Sequence, residues 1–350
     1  MHALTHFMLL LAIESSCDET AAAVVKDGRT VLSNIIASQI SVHADYGGVV
    51  PEIASRKHLE MISVVIEEAL QAAGVSFADI EGIAVTQGPG LAGALLVGIS
   101  TAKALAYALG IPITGVNHIE AHLLAIYLER SVEFPFVALA VSGGHTHLYL
   151  VEAVGRYRTL GQTIDDAAGE AFDKVAKLLG FSYPGGAHID RLADRGNPGA
   201  IRFPRPLMHD KSYNFSFSGL KTSVLNYLKK NPHAIEGDFL EDLCASFQAA
   251  VCDVLTGKVA AIVATTGVKR VVVAGGVACN SGLRREMARL ADQEGLELHI
   301  PSPLLCSDNA AMIAVPGDYY LKNSIISGFD FDALPVWPLD SIAERLTSGS

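Results

Sequence analysis

Residues 83–116 read IAVTQGPGLAGALLVGISTAKALAYALGIPITGV, and residues 271–301 read VVVAGGVACNSGLRREMARLADQEGLELHIP. Each gives a short apolar run, a glycine-rich turn, a helical stretch of roughly four turns and a second β-prone run. Strands in such units lie in sheets covered on both faces. Working outward, residues 9–25 (LLLAIESSCDETAAAVV) and 136–151 (FVALAVSGGHTHLYLV) read as hairpins, and each precedes one of the two units. One matched pair arises by chance in any α/β protein. Two pairs in the same order indicate an internal duplication. The expected fold is α/β, with two related lobes facing each other across a cleft in which ligands bind at strand ends.

The division expected along the chain is an N-terminal extension (1–7), a first lobe (8–134), a second lobe with a helical insertion (135–321), and a C-terminal segment (322–350) returning to the first lobe. Residues 1–7 fit no periodic pattern, so translation starting at Met1 and at Met8 both stay open. Residues 160–260 carry helix-like pattern, whereas 181–216 are rich in Pro, Gly and aromatics and read as irregular. A chain of 350 residues corresponds to about two domains. With 50% apolar and 18% charged residues it can bury a sizeable core, which excludes a disordered chain.

The net charge of −11 leaves no bulk basic field, so a phosphate-bearing partner must be met by local groups: Arg56-Lys57, Arg202 with Arg205, or Arg284-Arg285. Five cysteines without a C-x-x-C pair make neither a disulfide framework nor a zinc ribbon. The apolar run from Phe7 to Ile13 is too short to span a bilayer and is closed by Glu14. A soluble, cytoplasmic protein without membrane attachment is expected.

The sequence H-I-E-A-H at 118–122 follows a predicted strand and opens a helix, placing His118 and His122 on one face at i and i+4. On the pair alone, a metal site and a histidine-lined helix interface both remain open. The duplication supplies a third group, because Asp308 in C-S-D-N-A-A-M falls near the position that His118 takes in the first half. If pseudo-twofold symmetry joins them, His118, His122 and Asp308 make a two-histidine, one-carboxylate site suited to Fe(II) or Zn(II). Read alone, Asp308 is an ordinary helix N-cap. The glycine segments S-G-G-H (142–145), P-G-G (184–186) and G-G-V-A-C-N (275–280) let backbone amides approach phosphate oxygens, and three in one cleft favour a nucleotide. None matches a Walker loop or G-x-G-x-x-G. Asp18 and Glu19 lie in the first hairpin turn, Asp173 in a predicted helix, and Asp190 after P-G-G. Each can accept hydrogen bonds from a ligand, and each can equally be a turn or surface carboxylate.

Six motifs in order, E-S-S-C-D-E-T (14–20), P-E-I-A-S-R-K-H (51–58), N-H-I-E-A-H (117–122), S-G-G-H-T (142–146), F-S-F-S-G-L-K (215–221) and G-G-V-A-C-N (275–280), together resemble the bacterial tRNA N6-adenosine threonylcarbamoyltransferase family, once described as O-sialoglycoprotein endopeptidases. The resemblance implies the duplicated actin-like ATPase fold. It implies transfer of a threonylcarbamoyl group from threonylcarbamoyl-adenylate to N6 of adenosine 37 in tRNAs reading codons that begin with A, with release of AMP. Carried over by motif, His118, His122 and Asp308 match the metal ligands, for one divalent ion per subunit, Fe(II) ahead of Zn(II). Val141, Ser142, Gly143, Gly144, His145, Asp173, Gly186, Asp190 and Asn280 match positions contacting the substrate, an adenine nucleotide (threonylcarbamoyl-adenylate, or ATP/ADP) in the cleft. Asp18 or Glu19 is expected to position the incoming amine or take its proton. Implied partners are tRNA, a paralogous actin-like subunit (TsaB-type) and a small P-loop ATPase (TsaE-type); the apolar helix 94–109 is the candidate docking surface, and its burial within its own lobe is the alternative reading. Two departures from the family pattern are Ala187-His188 after P-G-G, and His147 after S-G-G-H-T.

Three rival readings are tested by the same residues. A zincin needs H-E-x-x-H, but Ile119 holds the glutamate's place and Glu120 lies about 200° round the helix from His118. A small-molecule kinase on the same fold has no need of the histidine pair. An ATP-driven scaffold would modify no tRNA.

Overall fold

The computed structural model describes residues 8–347, so the extension 1–7 and the choice of start within it lie outside the described residues. In the first half the chain forms β1 (Leu9–Glu14), β2 (Glu19–Lys26), β3 (Thr30–Ser38), α1 (Ile40–Ala44), α2 (Pro51–Ala73), β4 (Gly82–Gly88), α3 (Ala92–Leu109), β5 (Ile113–Asn117) and α4 (His118–Leu124). The second half forms β6 (Phe136–Val141), β7 (Thr146–Ala153), β8 (Arg156–Gln162), α5 (Ala168–Leu178), α6 (Gly186–Ala193), α7 (Ser218–Lys230) and α8 (Gly237–Thr266). It continues through β9 (Arg270–Ala274), α9 (Ser281–Glu294), β10 (Glu297–His299), α10 (Pro303–Cys306), α11 (Ala311–Lys322) and α12 (Ile342–Thr347).

The sheets have one topology twice: β3-β2-β1-β4-β5 and β8-β7-β6-β9-β10. In each, the first three strands are antiparallel and the last two run parallel to the first. The duplication read from the sequence is therefore the architecture. Two details differ from the sequence reading. Each sheet carries a third antiparallel strand, β3 or β8, and the stretch 181–216 contains the helix α6, which buries Ile189 and Ala193.

Burial explains the layers. Strand β4 is buried along its whole length, as a strand covered on both faces must be. One core lies between the first sheet and α2 and α3, another between the second sheet and α5, α8 and α9. A third joins the inner faces of both sheets through α4 and α11. Small residues dominate there, Ala12, Ala21, Ala23 and Ala84 on one sheet and Ala138, Ala140 and Ala274 on the other. The reason is distance: a Cβ on Gly317 of α11 would lie 2.4 Å from Ala84 Cβ. Helix α11, which the sequence division assigned to the second lobe, thus packs on the first sheet. Beyond it the chain runs along that sheet, where Ser327 N donates to Ile113 O (2.8 Å) and Leu334 N to Gln87 O (2.8 Å). It then crosses to the second sheet, where Asp340 accepts from Thr159 N and Oγ1 (both 2.9 Å). Helices α3 and α8 are long and apolar enough to cross a membrane by length and composition, but two-thirds of the apolar window in α8 is buried inside the fold.

Candidate metal centre and substrate cleft

Strand β5 ends at Asn117, whose side chain accepts from Ile119 N (2.9 Å) and Glu120 N (3.2 Å) and so starts α4 at His118. The i, i+4 spacing brings the His118 and His122 rings within 4.7 Å, edge to face. Asp308 lies in the short link between α10 and α11. In the first turn of α11 it is Asn309 Oδ1 that accepts from Met312 N (3.0 Å), and the carboxylate of Asp308 turns to the histidines instead. Its Oδ1 lies 3.0 Å from His122 Nε2 and 3.6 Å from His118 Nε2. One ligand atom from each of the three residues falls within 4.8 Å of the others.

The orientation of His118 is set from behind. Its Nδ1 lies 2.9 Å from Glu14 Oε2 at the end of β1, and 3.2 Å from Ser16 Oγ. Glu14 is fully buried and also accepts from Thr86 Oγ1 (2.7 Å) and Ser16 N (2.5 Å). A carboxylate on Nδ1 leaves Nε2 facing Asp308, the arrangement that presents a histidine to a metal. Two imidazole nitrogens and one carboxylate oxygen suit a borderline divalent ion with coordination positions left for substrate. His122 Nδ1 is buried without a hydrogen-bond partner, so Nε2 is the nitrogen of that ring engaged at the centre. The residues fit the ion.

Charge reinforces the fit. Burial opposes the ionised form of each group, yet the carboxylates of Glu14 and Asp308 lift His118 to about 9. In turn, His118 and His122 hold Asp308 well below the carboxylate range, against the pull of burial. Glu14 is likewise drawn down by His118, burial notwithstanding. Asp18 and Glu19 sit at the start of β2. Burial first, then the charges of Asp308 and Asp18, push Glu19 up to about 10. Tyr183 Oη donates to Asp18 Oδ2 (3.3 Å), linking the 181–185 turn of the second lobe to the acidic pair.

From the second lobe, the loop after β6 closes on itself: Ser142 N donates to His145 O (2.8 Å) and His145 N to Ser142 Oγ (3.2 Å). Gly143 and Gly144 face open space. Burial, then the positive charge of His118, pushes His145 down to about 3, so it stays neutral and lies within electrostatic reach of the histidine pair. Helix α5 abuts this loop so closely that a Cβ on Gly169 would lie 2.6 Å from Ser142 O. Val141 borders the third glycine segment, where a Cβ on Gly275 would meet its carbonyl oxygen at 2.5 Å.

The remaining residues singled out in the sequence hold the walls. Asp173 Oδ1 accepts from Gly185 N (2.7 Å), fixing the turn that leads into Gly186. Asp190 accepts from Ser281 Oγ (2.8 Å) and Ser281 N (2.9 Å), clamping α6 to the start of α9. Asn280 caps α9 by accepting from Leu283 N (2.8 Å) and donates to Gln248 Oε1 (2.7 Å). The structure thus brings His118, His122 and Asp308 into contact, couples Glu19 and His145 to them with Asp18 beside Glu19, and gathers Asp190 and Asn280 at the first turn of α9. Sequence reasoning missed Glu14, Thr86, Tyr183 and Gln248. Glu14 had a readable signal, a lone charge ending an apolar strand.

Several basic groups expected to meet phosphate are engaged within the fold. Arg56 pairs with Glu52 (3.0 Å), Arg205 with Asp253 (2.8 Å) and Arg285 with Asp194 (2.9 Å), while Arg284 donates to the carbonyls of Ala278 (2.6 Å) and Pro301 (2.7 Å). The peptidase reading also fails here. Glu120 is fully buried and accepts from Tyr157 Oη (2.6 Å) and Tyr320 Oη (2.6 Å), so it serves no metal-bound water.

Among solved structures, the chain is similar to the activating component A of (R)-2-hydroxyglutaryl-CoA dehydratase from Acidaminococcus fermentans. That match has 17% identity and a TM-score of 0.55, covering 91% of this chain and 99% of that one. It is also similar to HypF from T. kodakarensis, with 15% identity and a TM-score of 0.60, covering 90% of this chain and 48% of that one. These likenesses show the fold, which is the actin-like ATPase fold. In sequence, the chain is 84% identical over 343 residues to a tRNA N6-adenosine threonylcarbamoyltransferase of Geotalea uraniireducens (strain Rf4), covering 98% of this chain and all of the relative. It is 75% identical over 343 residues to the protein of the same description from Geotalea daltonii. The family model described as TsaD, tRNA N6-adenosine threonylcarbamoyltransferase, matches residues 30–315. The chain belongs to the tRNA N6-adenosine threonylcarbamoyltransferase family.

Proposed function

We propose that the seam between the lobes holds threonylcarbamoyl-adenylate, with one divalent ion, Fe(II) ahead of Zn(II), on His118, His122 and Asp308. The activity of the family is transfer of the threonylcarbamoyl group to N6 of adenosine 37 in tRNA. The observation that carries the site assignment is the convergence of three ligand atoms within 4.8 Å beneath an open glycine loop of the opposite lobe.

An adenine N6 amine is a weak nucleophile, because its lone pair is delocalised into the ring. The carbamoyl carbon must therefore be activated and the departing AMP accommodated. When bound, the ion supplies Lewis acidity at substrate oxygens. Glu14 keeps the proton of His118 on Nδ1. Amides of Gly143 and Gly144, in a loop whose shape Val141, Ser142 and His145 hold, donate to oxygens on which negative charge develops. Gly186, Asp190 and Asn280 bound the nucleotide, with Asp190 and Asn280 keeping the first turn of α9 rigid. Asp173 acts through the Gly185–Gly186 backbone. Of the acidic pair, Asp18 orients the amine and takes its proton, and Glu19 shares a hydrogen bond with it.

The finer partner reading follows from charge and surface. A net charge of −11 favours assisted tRNA binding, with a paralogous actin-like subunit (TsaB-type) and a P-loop ATPase (TsaE-type) as helpers in the cytoplasm. Leu96 and Tyr107 on α3, with Leu59 and Val64 on the neighbouring α2, are exposed and support that surface as the paralogue's dock.

The test is a reconstituted assay with partners, threonylcarbamoyl-adenylate and unmodified tRNA, read by mass spectrometry of the nucleosides. Wild type yields threonylcarbamoyladenosine. His118→Ala yields none, and Asp18→Asn falls by about 10²–10⁴. Product formed at the wild-type rate by His118→Ala would refute a metal role in the chemistry.

A further inference from the structure

Outside the groups used above, two thiols stand side by side at the edge of the site. Cys279 closes the glycine segment after β9 and is exposed, whereas Cys306, at the end of α10, is buried. Both donate into one three-residue turn, Cys279 Sγ to Pro303 O (3.6 Å) and Cys306 Sγ to Pro301 O (3.3 Å). The two thiols stand close enough for each to shift the other's acidity. The guanidinium of Arg284, fixed by the carbonyls of Ala278 and Pro301, donates to Cys306 Sγ (3.5 Å). The neighbouring Cys306 thiol, helped by the charge of Arg284 and opposed by burial, holds Cys279 down to about 7. An accessible thiol with thiolate character beside a buried partner is the arrangement of a peroxide-sensitive pair.

The neighbours give the pair its consequence. Cys279 immediately precedes Asn280, the cap of α9, and Cys306 lies two residues before Asp308. A disulfide requires the sulfurs to close to about 2.05 Å. Making it also removes both thiol hydrogens, so the bonds to Pro303 O and Pro301 O that hold the segment leading to Asp308 are lost.

We propose that Cys279 and Cys306 are a reversible redox site: a hydroperoxide converts them to a disulfide that displaces Asp308 and lowers the metal affinity of the centre. In the first step the Cys279 sulfur attacks the O–O bond. One oxygen stays on sulfur as a sulfenic acid, and the other leaves with the thiol proton, as water from hydrogen peroxide or as the alcohol from an organic hydroperoxide. In the second, the Cys306 sulfur attacks the sulfenyl sulfur, the S–O bond breaks, and water leaves with the second proton. Two thiols lose two electrons, and one hydroperoxide is reduced. A dithiol reductant reverses the change. The effect on affinity rests on the metal centre proposed above, whereas formation of the bond does not.

The experiment uses the full chain, treated with a few equivalents of hydrogen peroxide and digested with trypsin without reductant. Peptides 271–284 and 290–322 are expected linked, two hydrogens lighter than their sum and separable by dithiothreitol. Zinc titration of undigested aliquots is expected to show at least tenfold weaker binding after oxidation. Cys279→Ala and Cys279→Ser are expected to form no link and to keep the reduced protein's affinity after peroxide. Sulfinic acid at Cys279 without a link, or a link from either residue to Cys17, Cys244 or Cys252, overturns the pair. A 279–306 link with unchanged zinc affinity overturns the displacement of Asp308.

Discussion

Replacing Glu14 by Gln tests whether the metal centre is oriented from behind, since shape is kept and only charge and acceptor capacity change. Both carboxylate oxygens are acceptors, Oε2 from His118 Nδ1 and Thr86 Oγ1, and Oε1 from Ser16 N. A glutamine amide must turn its NH₂ to one side. Turned toward Ser16 it opposes a backbone N–H inside a fully buried site, at a cost of about 1–3 kcal/mol. Turned toward His118 it demands that Nδ1 accept, which moves the ring proton to Nε2 and blocks the ligand atom. Either way metal binding weakens. Loss of such an outer carboxylate typically costs 10–100-fold in affinity, or about 1.4–2.8 kcal/mol at 1.4 kcal/mol per decade. Titration with Zn(II) against a chromogenic chelator gives the affinity, and nitrogen-15 imidazole shifts of the zinc-loaded protein report the His118 tautomer. With melting temperatures matched, wild-type affinity and an unchanged His118 tautomer in Glu14→Gln would refute the reasoning.

Three further outcomes follow from contacts away from the ligands. Gly169→Ala forces a methyl into Ser142 O at 2.6 Å and Gly143 Cα at 2.8 Å. It should raise KM for threonylcarbamoyl-adenylate severalfold while costing about 1–3 kcal/mol of stability, read by steady-state kinetics and denaturant melts. Tyr157→Phe and Tyr320→Phe each remove a donor from buried Glu120 and should each cost about 1–3 kcal/mol in urea unfolding. His58 and His147 are held below the ordinary histidine value of 6.5 by burial. Unfolded chains therefore bind more protons than folded ones just below pH 6.5, and stability present above that pH is lost as pH falls toward the folded values. His58→Gln should flatten the acid limb of a melting-temperature profile.

What was legible followed from local pattern. The hairpins 9–25 and 136–151, the glycine turns and the helix opening at His118 are each written within a few residues, so periodicity and spacing found them. Strands β3 and β8 escaped because TVLSNIIAS and RYRTLGQ sit at sheet edges, half exposed, with no continuous apolar run. Helix α6 hides in a Pro/Gly-rich stretch because only Ile189 and Ala193 of its eight residues are buried. The roles of Asp173 and Asp190 were closed for another reason. A carboxylate reads the same in sequence whether it meets substrate or a backbone amide, and the partner of Asp190 lies 91 residues away. Asp308 was found only because the duplication told where to look.

The three residues His118, Glu120 and His122 show why the centre sits on the seam. On one short helix the histidines face Asp308, while Glu120 points the other way, into Tyr157 of β8 and Tyr320 of α11. Helices α4 and α11, equivalent members of the two halves, are thus tied at both ends, by His122 to Asp308 before α11 begins and by Glu120 to Tyr320 near its close. Glu120 also accepts from Gly155 N (3.2 Å) in the turn between β7 and β8, so the second sheet is fastened to the same turn of helix. Any rotation of one lobe against the other must strain either the Glu120 cluster or the spacing of the metal ligands. Because Glu120 is buried and held by donors from both tyrosines and a backbone amide, the rigid side of α4 is the one away from the metal. The side facing Asp308, which lies in a short link between helices, is where lobe position can be felt as a change in the spacing of the three residues proposed to hold the ion.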